Sequence, residues 1–232
     1  MSSPHPTPAP RSVGGVQLLE RLSSRSLLVE RWSGRGPQGS CEVYLGPPEA
    51  LSAAGGLPAW GPFPAVRSGW LDEQGWVVVP GLLVEDLGAL SRRLSEGAST
   101  ALAWHICAAV AEVHEQGGSH GALSPAFIGI DEDGRLSIRP ALEGSAPADP
   151  DPTASAQASD CLALGVILDE LRLELVDDDA VRLLMNGLRR ERARLRLQPG
   201  RAVRQAMAAL LARHPDFEQS LIRQLGPAWS LT

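Results

Sequence analysis

The chain contains no lysine: all 21 of its basic residues are arginine. Any site that depends on a lysine ammonium is therefore excluded. Asparagine occurs once, at Asn186, and Ala, Gly and Pro are abundant, a composition that a GC-rich bacterial gene would encode. Cysteine is scarce and scattered. Cys41, Cys107 and Cys161 form no C-x-x-C pair and have no histidine at zinc-ligand spacing, so no metal site is expected. Two of them lie in apolar helical contexts, where a free cysteine behaves as a small core residue. A reducing cytoplasm is the simplest setting. No apolar run approaches the ~18 residues that a membrane-spanning helix needs. The opening "MSSPHPTPAPRS" lacks the basic start and apolar segment of a secretory signal and reads as a disordered leader.

What is present suffices for a core: 232 residues, 44% of them hydrophobic. The net charge of −6 argues against general nucleic-acid binding. The first half is strand-like and punctuated by Gly and Pro. "SLLVERW" (26–32) and "CEVYLG" (41–46) read as strands separated by the loop "SGRGPQGS". Residues 65–83 read as a hairpin turning near "DEQG". The second half is helical. Leu87, Leu90 and Leu94 mark a short helix, and the repeat of Leu102, Ile106, Val110 and Val113 predicts another over 99–116. "FIGI" and "RLSIR" form a small hairpin around "DEDG", and 143–157 is acidic, Pro-rich and loop-like. "SDCLALGVILDELRLELV" (159–176) is apolar on nearly every face, which predicts a helix buried all round and capped by Ser159 or Asp160. Two amphipathic helices follow, one on Val181, Leu184, Met185 and Leu188, the other on Val203, Met207, Leu210 and Leu211.

The stretch "HEQGGSHGALSPAFIGIDEDGRLSIRPAL" resembles the catalytic segment of bacterial Ser/Thr protein kinases, where H-R-D-L-K-P-x-N leads through a hairpin to D-F-G. "SDCLALGVILDEL" resembles the helix that follows the kinase activation segment. The resemblance implies an α+β, protein-kinase-like bilobal fold. It would have a leader over 1–12, a reduced β lobe over 13–84, a helical lobe over 85–226 and a tail over 227–232. It also implies that the chemistry is gone, because phosphoryl transfer rests on positioned charges and metal ions. Ala122 stands at the catalytic Asp, Ser124 at the loop Lys, Phe127 at the metal-binding Asn and Pro140 at the D-F-G Asp. His120, Leu123, Pro125 and Asp160 fall on scaffolding positions, and Asp160 is expected to hold the loop around His120.

Other groups could have taken over these roles, and each has a plainer explanation. "GRGPQG" (34–39) fits G-x-G-x-x-G, but Pro37 removes an N–H and a hairpin turn accounts for the glycines. Asp131, Glu132 and Asp133 read as a solvated turn, and Asp177, Asp178 and Asp179 as a helix N-terminus. Eight of the 21 arginines fall between Arg182 and Arg204. Without lysine, solvated positive charge must be Arg, and no aromatic residue interleaves the run, so nucleic acid is disfavoured. Arg189, Arg190, Arg192 and Arg194 are candidates for a protein partner instead. The resulting expectation is an inactive, cytoplasmic pseudokinase, acting as a scaffold or regulatory subunit through a protein partner. No membrane, cofactor, metal or ATP binding is expected. The alternatives are a rebuilt nucleotide site serving another transfer reaction, or an Arg-mediated nucleic-acid binder.

Overall fold

The computed structural model describes residues 11–24, 27–51, 62–71, 73–140, 142, 152–172 and 214–226, with single positions 179, 208 and 212. Strands β1 (Ser12–Val13), β2 (Val16–Leu22), β3 (Glu30–Gly36), β4 (Gly39–Gly46), β5 (Arg67–Leu71) and β6 (Gln74–Pro80) make one antiparallel sheet, ordered β1-β2-β3-β4-β6-β5. A four-residue helix, α1 (Pro48–Leu51), lies between β4 and β5. Strands β7 (Leu83–Asp86), β8 (Ile128–Asp131) and β9 (Leu136–Ile138) make a second, three-stranded sheet. Helices α2 (Leu87–Ser91), α3 (Glu96–Glu115), α4 (Pro152–Glu170) and α5 (Asp216–Leu225) complete the described elements.

Alternation along the strands gives the large sheet two buried faces. Cys41, Val43 and Leu45 of β4 join Val13, Val16, Leu18 and Val78 inside the curve. Tyr44 packs on the opposite face with Val77, Val79, Ala50 and Leu51. The sheet curls far enough that the chain at β1 reaches β6: Arg11 Nη2 donates to Gln74 Oε1 at 3.3 Å. At Gly14 the φ is 55°, and a Cβ there would stand 2.6 Å from the Trp76 ring. Only glycine permits that approach.

The helical part is centred on α3. Thirteen of its twenty residues are buried, among them Leu102, Ile106, Cys107 and Val110. Its cluster takes in Leu87 and Leu90 of α2, Ile128 and Ile138 of the small sheet, Cys161, Leu164 and Ile167 of α4, and Leu221 of α5. Helix α3 is capped by Ser95, whose Oγ accepts from Ala98 N at 3.4 Å. Gln224 of α5 donates to that same oxygen at 2.8 Å and so pins α5 across the start of α3.

This architecture corrects the expected kinase-like bilobal fold. The chain forms a mostly antiparallel sheet, nearly closed like a barrel over six strands, with five described helices. The physical reason lies in residues 12–22. They supply β1 and β2, which carry the sheet round until Gly14 meets Trp76. Short motifs in the second half constrain a loop, a hairpin and a helix, but not how a distant sheet closes.

Smaller expectations shift as well. Strand β3 begins at Glu30 and runs on through Gly34-Arg35-Gly36, which had read as a loop. Gly36 then pairs with Gly39, so "GRGPQG" is a tight hairpin end. Helix α4 begins at Pro152, inside the segment expected to be a loop. Val166 on it is 56% exposed, so α4 is not buried all round and α3 takes the central place. Asp160 sits in mid-helix and does not cap α4. The helices expected after 176 and the arginines Arg189, Arg190, Arg192 and Arg194 lie outside the described residues.

Candidate functional site: two buried carboxylates and a cleft

Among the described residues two carboxylates, Asp160 and Glu42, are fully buried, and each organises a polar cluster. The first is Asp160 of α4. Its Oδ2 accepts from His120 N at 2.7 Å, and its Oδ1 accepts from Gly121 N at 2.9 Å. His114, in the last turn of α3, brings Nε2 to within 3.0 Å of Oδ2. Gln157, one turn earlier on α4, donates to Gly118 O at 2.8 Å. The loop between α3 and β8 therefore hangs from α4 by its backbone. A carboxylate is suited to this because it accepts several N–H bonds at once.

His120 is buried in that loop, and its Nε2 lies 2.8 Å from Arg139 O. A carbonyl can only accept, so Nε2 carries the proton. Burial pushes the imidazole pKa below its usual value, against the raising effects of that carbonyl and of Asp160. The ring is thus a neutral strut between the loop and the end of β9. Leu123 is buried beside it. Ser124 Oγ accepts from Ala126 N at 3.2 Å and opens a single 3₁₀ turn, Pro125–Phe127. Ala122 is half-buried and Pro140 is buried. Leu142, two residues on, belongs to the apolar cluster around Tyr44.

The second carboxylate is Glu42. Alternation on β4 puts it on the same face as Tyr44, toward the small sheet. Arg31, on the neighbouring strand, grips it through two hydrogen bonds, Nε to Oε2 at 2.9 Å and Nη2 to Oε1 at 2.8 Å. Tyr44 Oη donates to Oε2 at 2.6 Å, and Leu83 N donates to Oε1 at 3.1 Å. Arg139, just past β9, brings Nη1 to 3.0 Å from Oε1. Burial by itself would raise the Glu42 pKa. The Arg31 hydrogen bonds and the charges of Arg139 and Arg31 outweigh it, and the carboxyl is held below its ordinary range. Burial and the neighbouring Glu42 charge push the Tyr44 hydroxyl upward. Glu42 thereby ties the large sheet to both β7 and β9.

A cavity of about 260 Å³ opens beside this cluster. Arg31, Tyr44 and Arg139 form its polar wall, and Leu83, Val84 and Phe127 its apolar one. Ser23, Ser24, Asp86 and Ala126 complete the lining. Of the residues singled out from the sequence, Phe127 alone reaches this cavity, while His120 and Asp160 support the loop behind it. Glu42, Arg31, Tyr44 and Arg139 were not singled out. The signal was legible: "CEVYL" and "LSIRPAL" each place a charge inside an apolar strand run, and buried charges need partners.

The remaining reactive groups are set for packing. Cys107 and Cys161 are buried, and burial pushes both thiols up to about 12. His105 is held down to about 4 by burial. Among the described residues, no three His, Cys, Asp or Glu side chains are placed to hold a metal ion. No helix among them is long and apolar enough to cross a membrane. No protein-family model matches the chain, and no curated protein sequence matches it.

Proposed function

We propose that this chain is a non-catalytic binding protein of the cytoplasm, a scaffold or regulatory subunit that works through a protein partner. The reading keeps the inactive loop of the kinase resemblance without its two-lobed architecture. The observation that carries it is β5. This strand pairs only with β6 among the described residues, and none of its five residues is buried. Trp70 on it is 66% exposed, and Leu71 beside it is exposed too. An edge strand offers unpaired backbone donors and acceptors, and an exposed tryptophan beside them is a ready anchor. Tryptophan is also among the residues that most often dominate interface energies.

Two further features support it. Ser124, which stands at the loop-Lys position of the resemblance, and Asp160, which stands at a scaffolding position, are engaged in holding backbone. Cys41, Cys107 and Cys161 are all unpaired thiols, which suits a reducing compartment.

The test is partner capture from the native cell, followed by binding measurements with the purified partner. Trp70→Asp should weaken the complex by tenfold or more, which corresponds to about 1.4 kcal/mol. The variant should still fold, because the side chain is largely in solvent. Equal affinity for wild type and Trp70→Asp would remove β5 from the interface. Phosphoryl transfer from Mg-ATP by the purified chain would overturn the non-catalytic reading altogether.

A further inference from the structure

The cavity beside Arg139 carries an inference that is independent of the partner-binding reading. Arg139 is 2% exposed, and its side chain lines the cavity wall. Its ion pair with Glu42 is close, yet none of its guanidinium nitrogens has a hydrogen-bond partner among the described residues. The geometry explains why. Glu42 already accepts from Arg31 twice, from Tyr44 and from Leu83 N. One carboxylate so engaged offers its charge to a second guanidinium but cannot also accept from its five donors, set in a rigid fork. A buried donor without an acceptor is costly, and more so when it is charged. The Arg139 guanidinium thus keeps its donors unmatched beside a cavity, whose lining holds Asp86 as its own carboxylate.

We propose that this cavity binds a small organic anion, one carboxylate or phosphate group on a compact apolar body, with Arg139 gripping the anion. A planar guanidinium matches either group in bidentate fashion. Tyr44, Leu83 and Phe127 supply the apolar and aromatic surface that would hold the body of the ligand. Size and charge limit the class. About 260 Å³ falls below the roughly 300–1,000 Å³ typical of ligand clefts, which favours a ligand smaller than a nucleotide. Asp86 on the same wall opposes a polyanion such as a triphosphate. Val84 also lines the cavity and is 68% exposed, so it stands at the mouth, where a substitution leaves the core untouched.

The experiment is calorimetric titration of the full chain with benzoate, phenyl phosphate, inorganic phosphate and ATP, at constant ionic strength in chloride. Benzoate or phenyl phosphate should bind saturably, and whichever is tighter identifies the anionic group. Val84→Glu should weaken that binding by about fivefold and Val84→Arg strengthen it comparably, the scale of one partly exposed charge contact. Arg139→Lys, which keeps the charge and loses the fork, should weaken it by about tenfold or more. Should the Arg139 variant fail to fold, the Val84 pair decides alone. Saturable binding by neither organic anion would overturn the proposal. So would affinities that ignore both Val84 substitutions, inorganic phosphate binding as tightly as phenyl phosphate, or ATP binding more tightly than either.

Discussion

Glu42 and Asp160 are both carboxylates with no solvent exposure, yet their surroundings are opposites. Asp160 is held mainly by neutral donors, the backbone N–H groups of His120 and Gly121, with His114 as the third contact. Its work is local: it hangs one loop from one helix. Glu42 is held by two guanidinium groups, a phenol and one backbone N–H drawn from four separate strands or their ends. Its work is to join two sheets, and it does so with more cation than it can satisfy. A carboxylate matched to its donors acts as architecture. One that leaves a buried arginine unmatched beside a cavity sets up the anion site proposed above.

The comparison can be broken most sharply at Glu42. Glu42→Ala leaves Arg139 buried without a counter-charge and should destabilise the fold by about 3–5 kcal/mol. Replacing Glu42, Arg31 and Arg139 together by apolar residues of similar volume should recover most of that loss. Urea denaturation of the single and triple variants measures both. Equal instability of the two would mean that the cluster holds the sheets by shape rather than by charge.

Asp160→Ala comes next. It leaves the N–H groups of His120 and Gly121 without their acceptor, at a cost of about 1–3 kcal/mol. Because the loop hangs locally, amide exchange should accelerate most around His120 and Gly121, with the large sheet protected as before. Uniform loss of protection would place Asp160 in the same role as Glu42.

Acid should separate the clusters more gently. Burial lowers the folded pKa of His105 to about 4, from an ordinary 6.5, and lowers that of His120 as well. Between those two values the unfolded chain binds protons that the folded chain refuses, so stability falls as pH falls. Above about 6.5 the contribution is complete. Glu42, whose pKa is also lowered, keeps its full contribution above its ordinary 4.5 and loses it only as pH falls below that value. The urea midpoint should therefore drop from pH 7 to pH 5, and His105→Gln should flatten that slope. A midpoint constant over this range would mean that the histidines charge freely in the fold.

The smallest effect is expected at the β8–β9 turn. Asp131 Oδ1 accepts from Asp133 N and Arg135 N, so Asp131→Ala should cost about 0.5–1.5 kcal/mol. Asp133, whose described ion pair with Arg135 is exposed, should cost close to nothing when replaced by Ala. Denaturant midpoints ordered Asp160, Asp131, Asp133 would support this ranking. Equal values for Asp160 and Asp133 would remove the distinction between a buried and a solvated acid.

Legibility in the sequence followed the range of the interactions involved. The β5–β6 hairpin was readable because "DEQG" interrupts a Trp- and Val-rich run, and the β8–β9 hairpin because "DEDG" breaks two apolar runs. Helix α3 was readable from its apolar repeat, with Gly117 at φ 80° stopping it. Strand β2, "VQLLERL", was missed because its exposed Leu19 spoils the alternation. Helix α5 was missed because only Leu221 of its ten residues is buried. The kinase-like architecture was a local likeness extended to a whole fold.

The sequence by itself determined the short-range features: hairpins set by their turn residues, the central helix set by its apolar period, and the absence of any lysine chemistry. It also marked Glu42 and Arg139 as charges that must find partners, since both sit within apolar strand runs. Only the tertiary structure decided which partners those were. Arg31, Glu42, Leu83 and Arg139 come from separate segments, and they meet because the six-stranded sheet curls until Gly14 admits Trp76, and then packs against the small sheet. Closure of a sheet depends on the sum of many twists and contacts, which no local pattern encodes. The cavity beside Arg139 is a product of that closure.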